Sequence, residues 1–170
     1  MSRLLDRNST LVHPDYGVFQ IFDGEDFDDT ASVPGHDDFS FGDRSVYFHS
    51  FQNNVRVRLL LESWEGEPGW DDHAWEGSAT AVVEIATGVV CVNELTAGGQ
   101  DDLLTLPRPG RYGVRVAHRN RRVVSDAYLA LFDRFRDLDG VGFSEAKRAL
   151  EGREEYLAQF WPAPRVGGTS

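Results

Sequence analysis

The sequence predicts a mainly β protein, an antiparallel β-sandwich of about seven to eight strands with one helical insertion near the C-terminus. Short runs rich in β-branched and aromatic residues recur along the chain, with Gly, Pro, Asn and Asp between them. Residues 55–61 alternate apolar side chains with Arg56 and Arg58, which is the period of a half-buried strand. Only over residues 125–138 does the period become helical. A small open β-barrel is the alternative fold.

Turn residues delimit the other predicted strands. Residues 16–22 and 45–51 are predicted strands on either side of a long polar loop. Further strands are expected within residues 103–117, on both sides of Pro109-Gly110, and at residues 155–161. Residues 1–12 have no core signal before Leu11, so they are predicted to be a flexible N-terminus.

Residues 80–92 give the strongest strand signal. Two runs rich in valine flank Ala86-Thr87-Gly88, and Gly88 can adopt the positive φ that a tight hairpin requires. We therefore expect the two runs to pair with each other as a central hairpin. Cys91, the single cysteine, lies in the second run, and its thiol is predicted to be buried and unreactive.

The helical insertion is predicted to span residues 125–150. Ser125 is its expected N-cap and Gly140 its expected stop, with a shorter helix at residues 144–150. The apolar stripe of the first helix consists of Tyr128, Leu131, Phe132, Phe135 and Leu138. The predicted organisation is one sandwich domain, residues 13–164, followed by a flexible tail at residues 165–170.

The charge of the chain is acidic and unevenly distributed. The net charge is −11, and residues 1–110 carry 20 acidic against 6 basic side chains, whereas residues 111–170 carry 8 against 11. Such a field opposes nucleic-acid binding and favours a basic protein partner, although acidic surfaces also keep proteins soluble. With no apolar run of membrane-spanning length and no signal-peptide pattern, the sequence predicts a cytoplasmic protein without a membrane partner. It leaves the oligomeric state open.

Two acidic loops carry the candidate partner-binding residues. The first offers Asp23, Glu25, Asp26, Asp28 and Asp29. The second offers Glu65, Glu67, Trp70, Asp71, Asp72 and Trp75. Together with Trp64, the tryptophans of the second loop are suited to anchoring a protein interface, stacking on a sugar or capping one end of the sandwich.

No catalytic residue, metal site or cofactor is predicted. Residues 137–144 begin like a calcium loop, but Val141 and Arg148 occupy positions that require oxygen ligands. His73 lies among carboxylates, yet no second histidine follows at the spacing of a metal motif and no nucleophile motif accompanies it. We therefore expect a protein that is not an enzyme.

Three segments carry a resemblance to known families. Residues 16–21, 110–116 and 155–163 are similar to a group of uncharacterised β-sandwich proteins from GC-rich bacteria. An early strand of the form aromatic-x-Phe and the turn-and-strand Leu106-Pro-Arg-Pro-Gly-Arg-Tyr112, which has one extra residue, resemble the competence protein J family, whose members inhibit a DNA-entry nuclease. The matching segments cover about a quarter of the chain, and the helical insertion has no counterpart in that pattern. The resemblance implies the fold and an inhibitor function, and it transfers no functional residue.

The function expected from charge, architecture and resemblance is that of an acidic protein-binding module. It would act as an inhibitor or immunity-type protein that neutralises a nuclease or toxin with a basic groove, by presenting carboxylates where substrate phosphates would lie. The alternative is a small-ligand or carbohydrate-binding β-sandwich that uses the tryptophan-rich loop.

Overall fold

The computed structural model describes residues 1–24, 30–96 and 98–164, which form two five-stranded sheets packed face to face. Sheet I contains, in spatial order, β1 (Leu4–Val12), β5 (Val57–Trp64), β10 (Glu155–Pro162), β9 (Gly110–Arg119) and β6 (Gly77–Ile85). Sheet II contains β3 (Phe39–Phe41), β4 (Ser45–His49), β2 (Val18–Asp23), β7 (Val89–Asn93) and β8 (Gly99–Thr105). The predicted β-sandwich is confirmed; the described strands form two separate sheets and not the alternative barrel.

A single large core fills the space between the two sheets. The alternation of β5 places Leu59 and Leu61 in this core. The rings of Phe19 and Phe48 in sheet II stack with centroids 4.8 Å apart, and Tyr156 of sheet I meets Phe19 edge-on at 5.1 Å. Large aromatic side chains from both sheets therefore fix the distance between the layers.

The last strand of the chain occupies the centre of sheet I. β10 pairs in parallel with β5, from Glu155 opposite Arg58 to Phe160 opposite Ser63. On its other side it pairs antiparallel with β9. The remaining strand pairs of both sheets are antiparallel. β5 and β6 consequently run in the same direction on either side of β10 and β9.

The prediction of a flexible N-terminus is wrong for residues 4–12. These residues form β1, which pairs antiparallel with β5 along the edge of sheet I. The strand was missed because most of its side chains are polar and remain exposed. Polar residues on an edge strand discourage pairing with other chains, so the composition suits the position.

The predicted central hairpin is also wrong, although its turn is correct. Gly88 has a φ of 74°, and its N–H donates to the Ile85 carbonyl at 3.1 Å. However, β6 pairs with β9 in sheet I and β7 pairs with β2 and β8 in sheet II. The turn therefore passes from one sheet to the other. The prediction for Cys91 is confirmed as to burial, which raises the pKa of its thiol.

Two helices form in the region of the predicted insertion, but the first begins before residue 125. α1 (Arg121–Arg134) starts after Asn120, four residues before Ser125, and α2 (Val141–Arg148) starts after Gly140, which caps it and does not stop α1. Their small core contains Val55, Val124, Leu131, Phe143 and Leu150. The tail predicted for residues 165–170 lies outside the described residues. Within those residues, neither helix is long and apolar enough to cross a membrane.

Candidate functional site

The tryptophan loop, residues 64–76, lies over the outer face of sheet I. It connects β5 to β6, and β10 and β9 lie between these two strands. Because β5 and β6 run in the same direction, the connecting chain has to return across the face of the sheet. The topology therefore brings the acidic and aromatic side chains of this loop above the central strands.

A row of polar side chains crosses sheet I beneath this loop. Backbone pairing aligns Arg7 with Glu62, Glu62 with Gln159, and Gln159 with Arg115. The Arg7 guanidinium and the Gln159 amide donate to the Glu62 carboxylate at 3.1 and 2.9 Å. Arg115 donates to the Gln159 side-chain carbonyl at 3.3 Å. One outward-facing residue from each of four neighbouring strands thus belongs to a single hydrogen-bonded network.

Arg115 attaches the start of the tryptophan loop to the sheet. It is only 8% exposed, and its guanidinium donates to Glu67 at 2.9 Å and to the Pro68 carbonyl at 3.1 Å. The same guanidinium lies 4.9 Å from the ring centroid of Trp70 and 5.4 Å from that of Trp161. Stacked, charge-assisted contacts of this kind hold a loop more firmly than isolated surface ion pairs do.

Arg119 attaches the end of the loop in the same way. Its guanidinium lies 4.3 Å from the ring centroid of Trp75, donates to Glu155 at 2.5 Å and donates to the Ala74 carbonyl at 3.1 Å. Two arginines of β9 therefore fix two tryptophans of the loop.

An open pocket of about 260 Å³ lies between the loop and the sheet. Its walls include the indoles of Trp64, Trp70 and Trp75, which are all half-buried. Its floor includes Leu157 and the polar pair Glu62 and Gln159. Trp64 donates its indole N–H to Glu62 at 2.8 Å, so the Glu62 carboxylate on the floor is already hydrogen-bonded to a wall of the pocket.

The acidic residues predicted in this loop lie on its exposed surface. The side chains of Glu65 and Glu67 are each 61% exposed and pair with Arg3 and Arg115. Asp71 and Asp72 are both exposed, and Asp71 lines the pocket.

Asp23 has a different role from the one expected. It is 1% exposed, and its carboxylate accepts hydrogen bonds from the Ala86 N–H at 2.9 Å, the Thr87 N–H at 3.0 Å and the Thr87 hydroxyl. These contacts hold the turn between β6 and β7, so Asp23 offers no accessible surface to a partner. Glu25, Asp26, Asp28 and Asp29 lie outside the described residues.

His73 lies on an exposed turn of the loop, where its backbone N–H donates to Asp71 at 2.9 Å. Among the residues that the structure describes, no three His, Cys, Asp or Glu side chains converge as they would around a metal ion. The segment after α1 forms a turn in which the Asp139 N–H donates to Asp137 at 3.0 Å.

A second polar cluster, which the sequence did not indicate, lies at one end of the sandwich. Glu154 is fully buried, and it accepts hydrogen bonds from the Ser50 hydroxyl at 2.5 Å and the Phe51 N–H at 3.4 Å. Burial raises the pKa of this carboxyl to about 7, against the lowering effect of its hydrogen bonds. Glu154 precedes β10 of sheet I and Ser50 follows β4 of sheet II, so the contact joins the two sheets.

His118, Asp38 and Arg121 complete this polar end. Asp38 lies 2.9 Å from His118 Nε2 and accepts from Arg121 at 2.7 Å, while Arg121 also donates to the His49 carbonyl at 3.1 Å. Burial lowers the pKa of His118, and Asp38 opposes that effect. Although partial burial raises the pKa of Asp38, its hydrogen bonds from Arg121 and His118 lower it overall. These residues are distant in the sequence, and no local motif links them.

Two solved structures share this fold. ComJ from Bacillus subtilis, described as an inhibitor of the DNA degrading activity of NucA, aligns with a TM-score of 0.56 and 11% identity over 96% of this chain and 99% of that chain. The protein described as crocagin biosynthetic gene J aligns with a TM-score of 0.56 and 14% identity over the same shares. The resemblance to the competence protein J family is therefore confirmed at the level of the fold. No protein-family model matches the chain, and no curated protein matches its sequence.

Proposed function

We propose that this protein is an acidic protein-binding module that inhibits or neutralises another protein, a nuclease or toxin with a basic groove. The observation that carries the proposal is the exposed row of carboxylates on the tryptophan loop, presented by a fold that ComJ also has. ComJ is described as an inhibitor of a DNA-degrading activity. In this function the protein is a binding partner and not an enzyme.

The electrostatics of the loop support this function. Glu65, Glu67, Asp71 and Asp72 lie within eight residues of sequence and are all exposed. Carboxylates arranged along a loop can take the places of the phosphates that a basic groove binds. Opposite fields on the two proteins would also accelerate their encounter. The predicted acids Glu25, Asp26, Asp28 and Asp29 belong to the same proposal.

The attachment of the tryptophan loop to sheet I also supports the proposed inhibitor function. Arg115 and Arg119 stack on Trp70 and Trp75 and bind backbone carbonyls of the loop. A loop that is already ordered loses less conformational entropy when a partner binds it. The outward parts of the half-buried tryptophans then provide apolar anchors at the centre of an acidic surface.

The test is affinity capture from the source cell with the tagged protein at low and moderate salt. We expect it to recover a protein with a basic surface whose nuclease or toxic activity falls when the purified chain is added. The double variant Asp71→Lys/Asp72→Lys should lose this partner, whereas Asp101→Lys, which changes an exposed acid on β8, should retain it. Failure to recover any protein partner, or equal capture by all the variants, would overturn the proposal.

A second candidate function is favoured by one observation, the indole-walled pocket of about 260 Å³. Stacking of tryptophans on a sugar or another small ring would make the protein a ligand-binding module. Binding of that kind would be lost with Trp75→Ala and would change little with salt or with the reversal of Asp71 and Asp72. A glycan array carried out at two salt concentrations distinguishes it from the inhibitor function.

A further inference from the structure

The tryptophan loop carries more carboxylates than the arginines around it pair with, and one of the unpaired carboxylates lines the pocket. Four arginines around the loop each pair with one carboxylate: Arg3 with Glu65, Arg7 with Glu62, Arg115 with Glu67 and Arg119 with Glu155. Asp71, Asp72 and Glu76 remain; of these, Asp71 lines the pocket, and Glu76 accepts a hydrogen bond from the Asn120 N–H at 2.9 Å. None of these three forms an ion pair with any residue that the structure describes, and all three are exposed.

The polar groups on the floor of the pocket are already hydrogen-bonded, which disfavours a hydroxyl-rich ligand. One Glu62 oxygen accepts from Arg7, and the other accepts from both Trp64 and Gln159. The carbonyl of Gln159 accepts from Arg115. Because a site that selects polar ligands uses convergent, unoccupied hydrogen-bonding groups, this floor offers little to a sugar. The available lining includes the indoles and the Asp71 carboxylate.

Indoles in this loop already bind guanidinium groups within the molecule. Arg115 lies over Trp70 and Arg119 lies over Trp75, at 4.9 and 4.3 Å from the ring centroids. A planar guanidinium stacks well on an aromatic face and is more weakly hydrated than an ammonium group. Asp71 lines the pocket and has no ion-pair partner among the described residues, so its carboxylate is available to such a cation.

We propose that this pocket receives one arginine side chain of the basic partner, with its guanidinium among Trp64, Trp70 and Trp75 and near Asp71. The inference rests on the proposed function for the identity of the partner, and its test does not require that partner. Arginine is enriched where protein interfaces have anchor residues, and pairs of aromatic and arginine anchors are typical of such centres.

The test uses N-acetyl-L-arginine amide and its uncharged analogue N-acetyl-L-citrulline amide. Each is titrated into the ¹⁵N-labelled protein at constant ionic strength while the four indole N–H resonances are followed by NMR. We expect the arginine compound to cause saturable shifts at Trp64, Trp70 and Trp75, with a smaller effect on the buried Trp161. The citrulline compound should bind about two- to fivefold more weakly, since a cation–π contact at an exposed site contributes about 0.5–1 kcal/mol.

Asp71→Asn provides the matched variant. Asparagine can still accept the hydrogen bond that His73 donates to Asp71, so the turn is preserved while the charge is removed. We expect it to weaken arginine binding up to about fivefold, as for an exposed ion pair. Asp101→Asn on β8 should leave binding unchanged. Equal binding of the two compounds, no saturable shift, or no effect of Asp71→Asn would overturn the inference.

The two proposals fail in different ways. If a protein partner is captured through Asp71 and Asp72 but the arginine compound does not bind, the proposed function stands and the arginine pocket is wrong. If the arginine compound binds selectively and no protein is captured, the pocket stands and the inhibitor function is wrong.

Discussion

Arg115 and Arg121 are both almost completely buried, pair with a carboxylate and lie over an aromatic ring, yet they join different parts of the molecule. Arg115 binds Glu67 and the Pro68 carbonyl, which belong to a surface loop. Arg121, at the start of α1, binds Asp38, which precedes β3, and the carbonyl of His49, the last residue of β4. One arginine therefore positions a loop, and the other ties the helical segment to the sandwich.

The two polar regions also differ in how their charges are balanced. At the polar end, Glu154 is buried with a raised pKa, and Asp38 is hydrogen-bonded to His118 and Arg121. On the tryptophan loop, three exposed acids have no ion-pair partner among the described residues. Carboxylates that are hydrogen-bonded to other parts of the chain indicate a role in the fold, whereas an exposed carboxylate without an ion-pair partner is available for binding. The following predictions test that difference, from the largest expected effect to the smallest.

Arg121→Met should reduce the free energy of unfolding by about 3 kcal/mol, because it removes a charged donor from both Asp38 and the His49 carbonyl. Among the side chains that the structure describes, these two acceptors then keep only His118 and the Tyr156 hydroxyl. Arg115→Met should reduce the free energy of unfolding by only about 1 kcal/mol, because its partner Glu67 is largely exposed on a surface loop, but it should increase hydrogen exchange of residues 65–76. Urea denaturation and exchange mass spectrometry measure the two effects. Equal losses of stability would contradict the distinction between the two arginines.

Glu154 should make stability depend on pH. Its pKa is about 7 in the folded protein against an ordinary value of 4.5, so between these pH values the folded state holds a proton that the unfolded state has released. The stability that it contributes is therefore complete below about pH 4.5 and is lost as the pH rises through about 7. Because the glutamine of the Glu154→Gln variant cannot ionise, the free energy of unfolding of this variant should increase by about 2 kcal/mol relative to that of the wild type between pH 5 and pH 8. Parallel curves of melting temperature against pH for the two proteins would contradict this assignment.

Asp23 and Asp72 were both predicted to bind a partner, but the structure buries Asp23 and exposes Asp72. Asp23→Ala should cost about 2 kcal/mol, since it removes three hydrogen bonds from the turn between β6 and β7. Asp72→Ala changes an exposed side chain and should alter stability by less than about 0.5 kcal/mol. Chemical denaturation measures both changes. A larger loss for Asp72→Ala would reverse the roles given to the two loops.

Local patterns in the sequence were sufficient for the sandwich and for most of its strands. The alternation in residues 55–61 correctly placed Val57, Leu59 and Leu61 in the core. The sheet to which each strand belongs was not predictable in this way, because the turn at Gly88 has the same local signal whether it closes a hairpin or crosses between sheets. β1 was missed because an exposed edge strand carries few apolar residues.

The candidate site was predictable only in part, because its geometry depends on contacts between residues that are distant in the sequence. The tryptophans and acids of residues 64–76 were evident from composition, but the pocket that they form depends on Gln159 and Leu157 from the end of the chain. Asp23 was misassigned because nothing in its neighbourhood indicates contacts with Ala86 and Thr87. The polar end was missed because Glu154, Ser50 and His118 meet only in the folded protein.

The most direct test of the central claim is the association rate constant of the captured partner with Asp72→Lys and with Asp101→Lys. The two variants change the net charge equally, one on the tryptophan loop and one on β8 of sheet II. At low salt, Asp72→Lys should slow association at least about threefold, because it places a like charge against the basic partner, and the difference should shrink as salt is added. Asp101→Lys should change the rate much less. Equal rates for the two variants, or slower association only with Asp101→Lys, would contradict the assignment of the tryptophan loop as the binding surface.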